Sequence, residues 1–158
     1  MFYAIMAALA AAVVGLDQWT KWLTVQNVPL HARGKSILGI FSITHIENTG
    51  GAWGVMGGQM WLFTLVMAAF LVLLVVAVWK KWVTKKFELL CLAAIAGGGI
   101  GNMIDRLRFG RVTDMIQLDF VEFPVFNVAD CFITTGCVLL VIYLLFFDRQ
   151  KKKDGTES

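Results

Sequence analysis

Charge is scarce in this chain. Of its 158 residues 16% are Asp, Glu, Lys or Arg, whereas 58% are hydrophobic. A soluble domain carries about 25% charged residues, so this composition excludes an ordinary soluble fold. Histidine occurs twice, as His31 and His45 in a segment read as a wet loop, with no H-x-x-x-H spacing; a histidine-built metal site is excluded on that pattern. The three cysteines, Cys91, Cys131 and Cys137, all fall in apolar runs without metal-ligand spacing or a nearby histidine. They read as small packing hydrophobes, which leaves no thiol nucleophile. There is no G-x-S-x-G and no serine matched to a histidine or lysine base, so serine catalysis has no footing. Internal repeats, low-complexity tracts and linkers are missing too, and the length suits one domain, residues 1-158.

What fills the chain instead is four apolar runs, at about 2-25, 60-79, 87-104 and 125-147. The second has no formal charge; the third is interrupted by Glu88 at its start and the fourth by Asp130. Roughly 20 helical residues cross a hydrocarbon core. Continuous rather than alternating runs favour helices over strands. The first run lacks a basic n-region and leads into "LDQWTKW" instead of a small-residue cleavage site, so it is read as a retained helix. The expected fold is an all-α membrane protein: a four-transmembrane-helix bundle carrying a small outward-facing antiparallel β-structure. "KSILGIFSITHIENTGGAWG" (35-54) supplies that hairpin through partial alternation and a glycine-rich turn, and "GRVTDMIQLDFVEF" (110-123) reads as extended.

Lys80, Lys81, Lys85, Lys86, Arg149, Lys151, Lys152 and Lys153 hold eight of the fourteen basic residues. They place the 80-86 connection and the tail at about 150-158 on the cytoplasmic side, hence both termini there and the segments 26-59 and 105-124 outside. The net charge of +3 is thereby a topology signal and gives no support to nucleic-acid binding.

Polar residues gather at the outer level. Asp17 and Lys21 lie four apart on one face of helix one and could pair. Asn102, Asp105 and Arg106 share a face of helix three; Asn127, Asp130 and Thr134 share one on helix four. Glycines 97, 98 and 99 would let helix three approach a neighbour closely. Helix capping and interfacial ion pairing account for polar groups at helix ends, and packing accounts for Thr134. Asp130 is the exception, because an ionised aspartate mid-bilayer costs about 3 kcal/mol on insertion scales. Two carboxyls sharing one proton can cleave an amide: the ionised one takes a proton from water while the protonated one polarises the carbonyl. Asp114 and Asp130 are 16 positions apart, and spacing leaves Asp105 as a rival for either place. A proton- or ion-coupled small membrane transporter with a relay through Asp17, Lys21, Asp105 and Asp130 is a second reading, weakened by the lack of a repeat. A metal-dependent lipid phosphotransferase using Asp105, Asp114 and Asp130 is a third, weakened by the absence of a clustered acid motif.

"DQWTKW" (17-22), "ENTGGAWG" (47-54), "GGGIGNMIDR" (97-106), "GRVTDMI" (110-116) and "FNVAD" (126-130), in that order along the whole chain, resemble lipoprotein signal peptidase (signal peptidase II), the aspartyl peptidases of family A8 in the bacterial inner membrane. The resemblance implies catalysis by Asp114 and Asp130 without cofactor or metal. It implies that Asn48, Asn102, Arg106 and Asn127 line the site, with Asp17, Lys21, Asp105 and Gly54 in supporting roles. It further implies a loop resting on the membrane, an active site at the outer face, a diacylglyceryl-prolipoprotein substrate cut just before its lipidated cysteine, contact with membrane lipids, inhibition by cyclic peptides of the globomycin type, and a monomer. Trp53, Thr113, Met115 and Cys131 depart from the residues usual in that family, which affects pocket shape and spares the charged positions.

Overall fold

A computed structural model describes residues 1–50 and 59–148. Four long helices, α1 (Phe2–Asn27), α2 (Met60–Trp79), α3 (Lys86–Phe109) and α4 (Val128–Tyr143), make the bundle, and α4 runs on through a π-helical turn, Leu144–Asp148. Each helical stretch is long and apolar enough to cross a membrane. At 1.5 Å per residue the 20 residues of α2 reach about 30 Å. Three antiparallel strands, β1 (Arg33–Ile37), β2 (Phe41–Asn48) and β3 (Val112–Leu118), form a sheet in the order β1-β2-β3.

Helix α3 sits in the middle, and its glycines explain how. Lipid tails offer no hydrophobic drive between helices, so close packing must hold them. Successive residues on a helix point about 100° apart, so Gly97, Gly98 and Gly99 face three different neighbours. A Cβ at 97 would lie 2.8 Å from Ala10 O and Val13 Cβ of α1, and one at 98 would lie 2.5 Å from Ala129 O of α4. One at 99 would collide with Met67 of α2. From the other side, a Cβ at Gly136 of α4 would meet Ile95 Cγ1 at 2.7 Å.

Gly110 ends α3 in the left-handed conformation (φ 66°), and its N–H donates to Arg106 O at 3.0 Å. This C-cap turns the chain directly into β3. The hairpin β1–β2 turns through Leu38 and Gly39, and Asp119 ties the sheet together by accepting from Arg33 (2.6 Å), Ser42 (2.7 Å) and Ser36.

Several boundaries differ from the sequence reading. Helix α3 continues to Phe109 rather than ending near 104, so Asp105 and Arg106 lie well inside it, on the helix face expected from their spacing. Helix α4 begins at Val128 rather than 125, because Asn127 is extended (φ −129°, ψ 179°) and caps it. In the 110-123 segment only Val112–Leu118 is strand, and bends follow. His45 is not in a wet loop: it is buried in β2, and its Nδ1 lies 2.9 Å from Val28 O. Of the cysteines Cys91 is buried, whereas Cys137 is exposed on the outside of the bundle. Most of the glycine-rich turn after Asn48 and the tail at 150-158 lie outside the described residues.

Gly98→Ala should lower thermal stability in detergent by roughly 1–3 kcal/mol, since the new methyl meets backbone that cannot yield cheaply. Gly15→Ala in α1, where a Cβ would meet nothing within 4 Å, should leave stability unchanged or slightly raised. Differential scanning of the two variants side by side checks the contrast.

Candidate active site

The polar residues of three helices and two strands meet above the centre of the bundle. Lys21 of α1 is buried, with its side chain 5% exposed. Its Nζ lies 2.9 Å from Asp17 Oδ2 and 3.1 Å from Asp105 Oδ2, and it donates to Asn102 Oδ1 at 2.9 Å. An ammonium has three protons to give, and these three acceptors match them. The acids are held from their other sides. Asp17 Oδ1 accepts the Ala129 N–H (3.0 Å), which ties α1 to the first turn of α4. Asp105 Oδ2 accepts the Thr113 N–H (3.2 Å), which fixes the start of β3. Gln18 donates to Asp105 Oδ1 at 2.9 Å, to Asp17 Oδ2 at 3.2 Å and to Gly101 O at 3.2 Å. Gln18 escaped the sequence reading; its signal was its place beside Asp17 and one turn before Lys21, inside a polar patch of an apolar helix.

Asn102 passes this order to the cavity. Because its Oδ1 faces the ammonium, its amide nitrogen must face the other way, and it donates to Asp130 Oδ1 at 2.7 Å. Asp130 also closes a capping box on α4. Its Oδ2 accepts the Asn127 N–H (3.2 Å) while Asn127 Oδ1 accepts the Asp130 N–H (3.0 Å). An acid in the first turn is favoured by the free N–H groups and the positive end of the helix dipole. Asp130 is thus half-buried in the first turn of α4, and the N-x-x-D spacing of "FNVAD" was the sequence sign of it.

Asp114 arrives from the sheet. It is buried on β3, with Asn48 Nδ2 of β2 donating to Oδ2 (2.9 Å) and Asn127 Nδ2 to Oδ1 (2.7 Å). Asn48 is itself held, since its Oδ1 accepts the Gly50 N–H at 2.8 Å. Asn127 therefore donates to both carboxyl groups, to Asp114 through its side-chain nitrogen and to Asp130 through its backbone N–H, while its side-chain oxygen accepts the Asp130 N–H. Burial pushes the Asp114 carboxyl up to about 6, and the charge of Asp130 adds to this against the two asparagine hydrogen bonds. The folded protein holds this proton more tightly than the unfolded chain does. Its stabilising effect is therefore present below the ordinary carboxylate range and is lost as pH rises through about 6.

Asp114 and Asp130 both line a cavity of about 520 Å³, together with Asn48, Asn102, Arg106 and Asn127. The Arg106 guanidinium lies 5.4 Å from the centre of the Phe63 ring, and its Nε is buried without a hydrogen-bond partner among the described residues. Phe123 to Phe126 form one wall, and Cys131, Thr134 and Thr135 of α4 form another. Thr134, read from sequence as packing, therefore faces this space. Asp17, Lys21 and Asp105 do not line it; they stand behind it. Gly54 and Trp53 lie outside the described residues. Among the described residues no group of three or more His, Cys, Asp or Glu is arranged to hold a metal.

Four apolar helices with a pair of carboxyls at a cavity beside a small sheet are the architecture of a multi-pass membrane peptidase of the aspartic type. The family model described as "Signal peptidase (SPase) II" matches residues 9–146, and the chain belongs to that family, the aspartic peptidases of family A8. It is 40% identical over 150 residues to a lipoprotein signal peptidase of Enterococcus faecalis, covering 94% of this chain and 93% of the relative. It is 42% identical over 137 residues to one of Streptococcus thermophilus, covering 84% and 87%. A solved bacterial membrane enzyme superimposes with a TM-score of 0.85 at 29% identity, covering 98% of this chain and 92% of that one. A second superimposes with a TM-score of 0.82 at 31% identity, covering 91% and 94%.

Lys21→Met should destabilise the protein by roughly 3–5 kcal/mol, because it leaves two buried carboxylates without their cation. Thermal unfolding in detergent measures this, and a loss below about 1 kcal/mol would mean that the network is wet and loose.

Proposed function

We propose that this peptidase removes signal peptides from diacylglyceryl-modified prolipoproteins, cutting just before the lipidated cysteine, with Asp114 and Asp130 as the acid pair that activates water. The observation that carries the reading is the single cavity onto which both carboxyls open while every one of their oxygens already accepts one hydrogen bond from an asparagine. Each oxygen keeps a second lone pair for water or substrate. Asp114, which holds its proton up to about pH 6, is suited to donate to the scissile carbonyl. Asp130 takes the proton from the attacking water. Fixed amide donors and the Arg106 guanidinium supply positive potential where the oxyanion develops, and in a site shielded from bulk water such groups act strongly. The unpartnered Nε–H of Arg106 fits a backbone carbonyl of the bound precursor.

The asymmetry of the bundle supports an orientation. Lys80 and Lys86 lie over the Trp79 and Phe2 rings at one end, at 5.1 and 5.9 Å, while the sheet and the acids occupy the other. Basic residues favour the cytoplasmic side, so the cavity opens outward, at the level where a lipidated cysteine is held by membrane lipids. Cyclic peptides of the globomycin type would compete for the same space. The transporter reading loses support because Asp17, Lys21 and Asp105 are closed on one another behind the cavity. The phosphotransferase reading loses support because Asp105 turns toward Lys21 and away from Asp114 and Asp130.

Asp114→Asn and Asp130→Asn should each lower turnover of a lipidated precursor by roughly 10²–10⁴-fold while the protein still inserts. Near-normal cleavage by either variant would sink the pair assignment. The pH profile gives an independent check: kcat/KM should fall as pH rises above about 6, when Asp114 loses its proton. Asn48→Ala removes a hydrogen bond that favours the ionised form, so it should move that limb to higher pH, and a shift to lower pH would contradict the role given to Asp114.

A further inference from the structure

A second cavity, of about 630 Å³, lies beside the first and shares the Phe123–Pro124 wall with it. Its lining runs from Gln117 and Leu118 of β3 round the bend through Asp119 and Glu122, with Arg33 of β1 at its side. Helix residues are absent from this lining, so it sits at the sheet and not among the spans. Its charges suit water: Arg33 is paired with Asp119 at 2.6 Å, and Glu122 is exposed.

The strand edge in this cavity is unfilled. The Met115 N–H donates to Phe126 O, at 2.9 Å, but from Ile116 onward the backbone groups of successive residues of β3 point to opposite edges. Ile116 exchanges both its bonds with Phe126 on the outer edge, N–H to O at 2.8 Å and N–H from Phe126 at 3.1 Å. The Asp119 N–H instead points inward, donating to Ile40 O at 3.0 Å. Gln117 therefore pairs inward with Ser42, and the N–H and C=O of Leu118 point outward. Beyond Phe126 no described residue pairs with them on that side, and an unpaired strand edge is a template for an extended chain.

We infer that this second cavity binds the extended polypeptide on the mature side of the cleavage point, pairing it with the outer edge of β3 at Leu118. This rests on the peptidase reading above. A precursor in the first cavity must leave it in two directions: its apolar signal segment toward lipid, along Cys131, Thr134 and Thr135 of α4, and its mature chain toward water. Only the second of these has a polar, sheet-edged exit. From Asp114 to Leu118 is four residues of strand, about 13 Å at roughly 3.3 Å each, so the contact falls within the first few residues after the lipidated cysteine.

Leu118→Pro tests the pairing, because it removes only the outward N–H, and proline is tolerated on an edge position whose N–H faces away from the sheet. Glu122→Trp, which fills the cavity from its rim, is the second variant. Each is assayed on two lipidated precursors, one ending at the residue after the cysteine and one carrying ten further residues. Both variants should raise KM for the long precursor about fivefold, the value of one backbone hydrogen bond, with kcat little changed and the short precursor cut normally. Equal effects on both precursors, or none on either, would overturn the inference. Failure of the unaltered protein to cut either one would overturn the peptidase reading, and the inference with it.

Discussion

The rest of this molecule depends on one buried cation. An ammonium withdrawn from water is tolerated only if its protons and charge are met, and Lys21 meets Asp17, Asp105 and Asn102 at 2.9 to 3.1 Å. The two acids then recruit backbone N–H groups from elements far away in sequence, Ala129 on α4 and Thr113 at β3. A single charge thereby fixes the register of α1 against α3, the start of the sheet's third strand and the first turn of α4. The glycines of α3 permit the approach that this network needs: a Cβ at Gly101 would lie 2.5 Å from Asp17 Oδ2.

From there the order passes to the cavity through asparagines. An amide offers an acceptor and a donor on opposite sides, so an Asn whose oxygen is engaged has its nitrogen aimed. Asn102 is aimed by Lys21, Asn48 by the Gly50 N–H and Asn127 by the Asp130 N–H. All three nitrogens point at Asp114 or Asp130. Among the described residues the carboxyls are thus oriented without a basic side chain bonded to them, which is what the proposed sharing of one proton requires. A lysine in contact with either would have kept both ionised.

Much of this was legible in the sequence, for reasons that differ by element. The spans are long uninterrupted apolar runs, and the hairpin alternates, so both carried a direct physical signal. The pairing of Asp17 with Lys21 followed from helical spacing alone. The start of α4 did not, because Val125 and Phe126 extend the apolar run past the true helix end, and only the capping box at Asn127 marks it. Distance along the chain could not choose between Asp105 and Asp114, since the choice depends on β3 folding back over the bundle. Gln18 was overlooked and His45 was placed in a wet loop because their partners, Asp105 and Val28 O, come from other elements.

The central proposal is that Asp114 and Asp130, which line one cavity, share a single proton. Infrared difference spectroscopy of the detergent-solubilised protein across a pH step from 5 to 7 reads that proton directly. The account predicts the loss of one carboxylic-acid carbonyl band with a midpoint near pH 6, the value to which burial lifts Asp114, and the absence of that change in Asp114→Asn. A spectrum in which no carboxylic acid titrates over this range, or in which the change survives in Asp114→Asn, would contradict it.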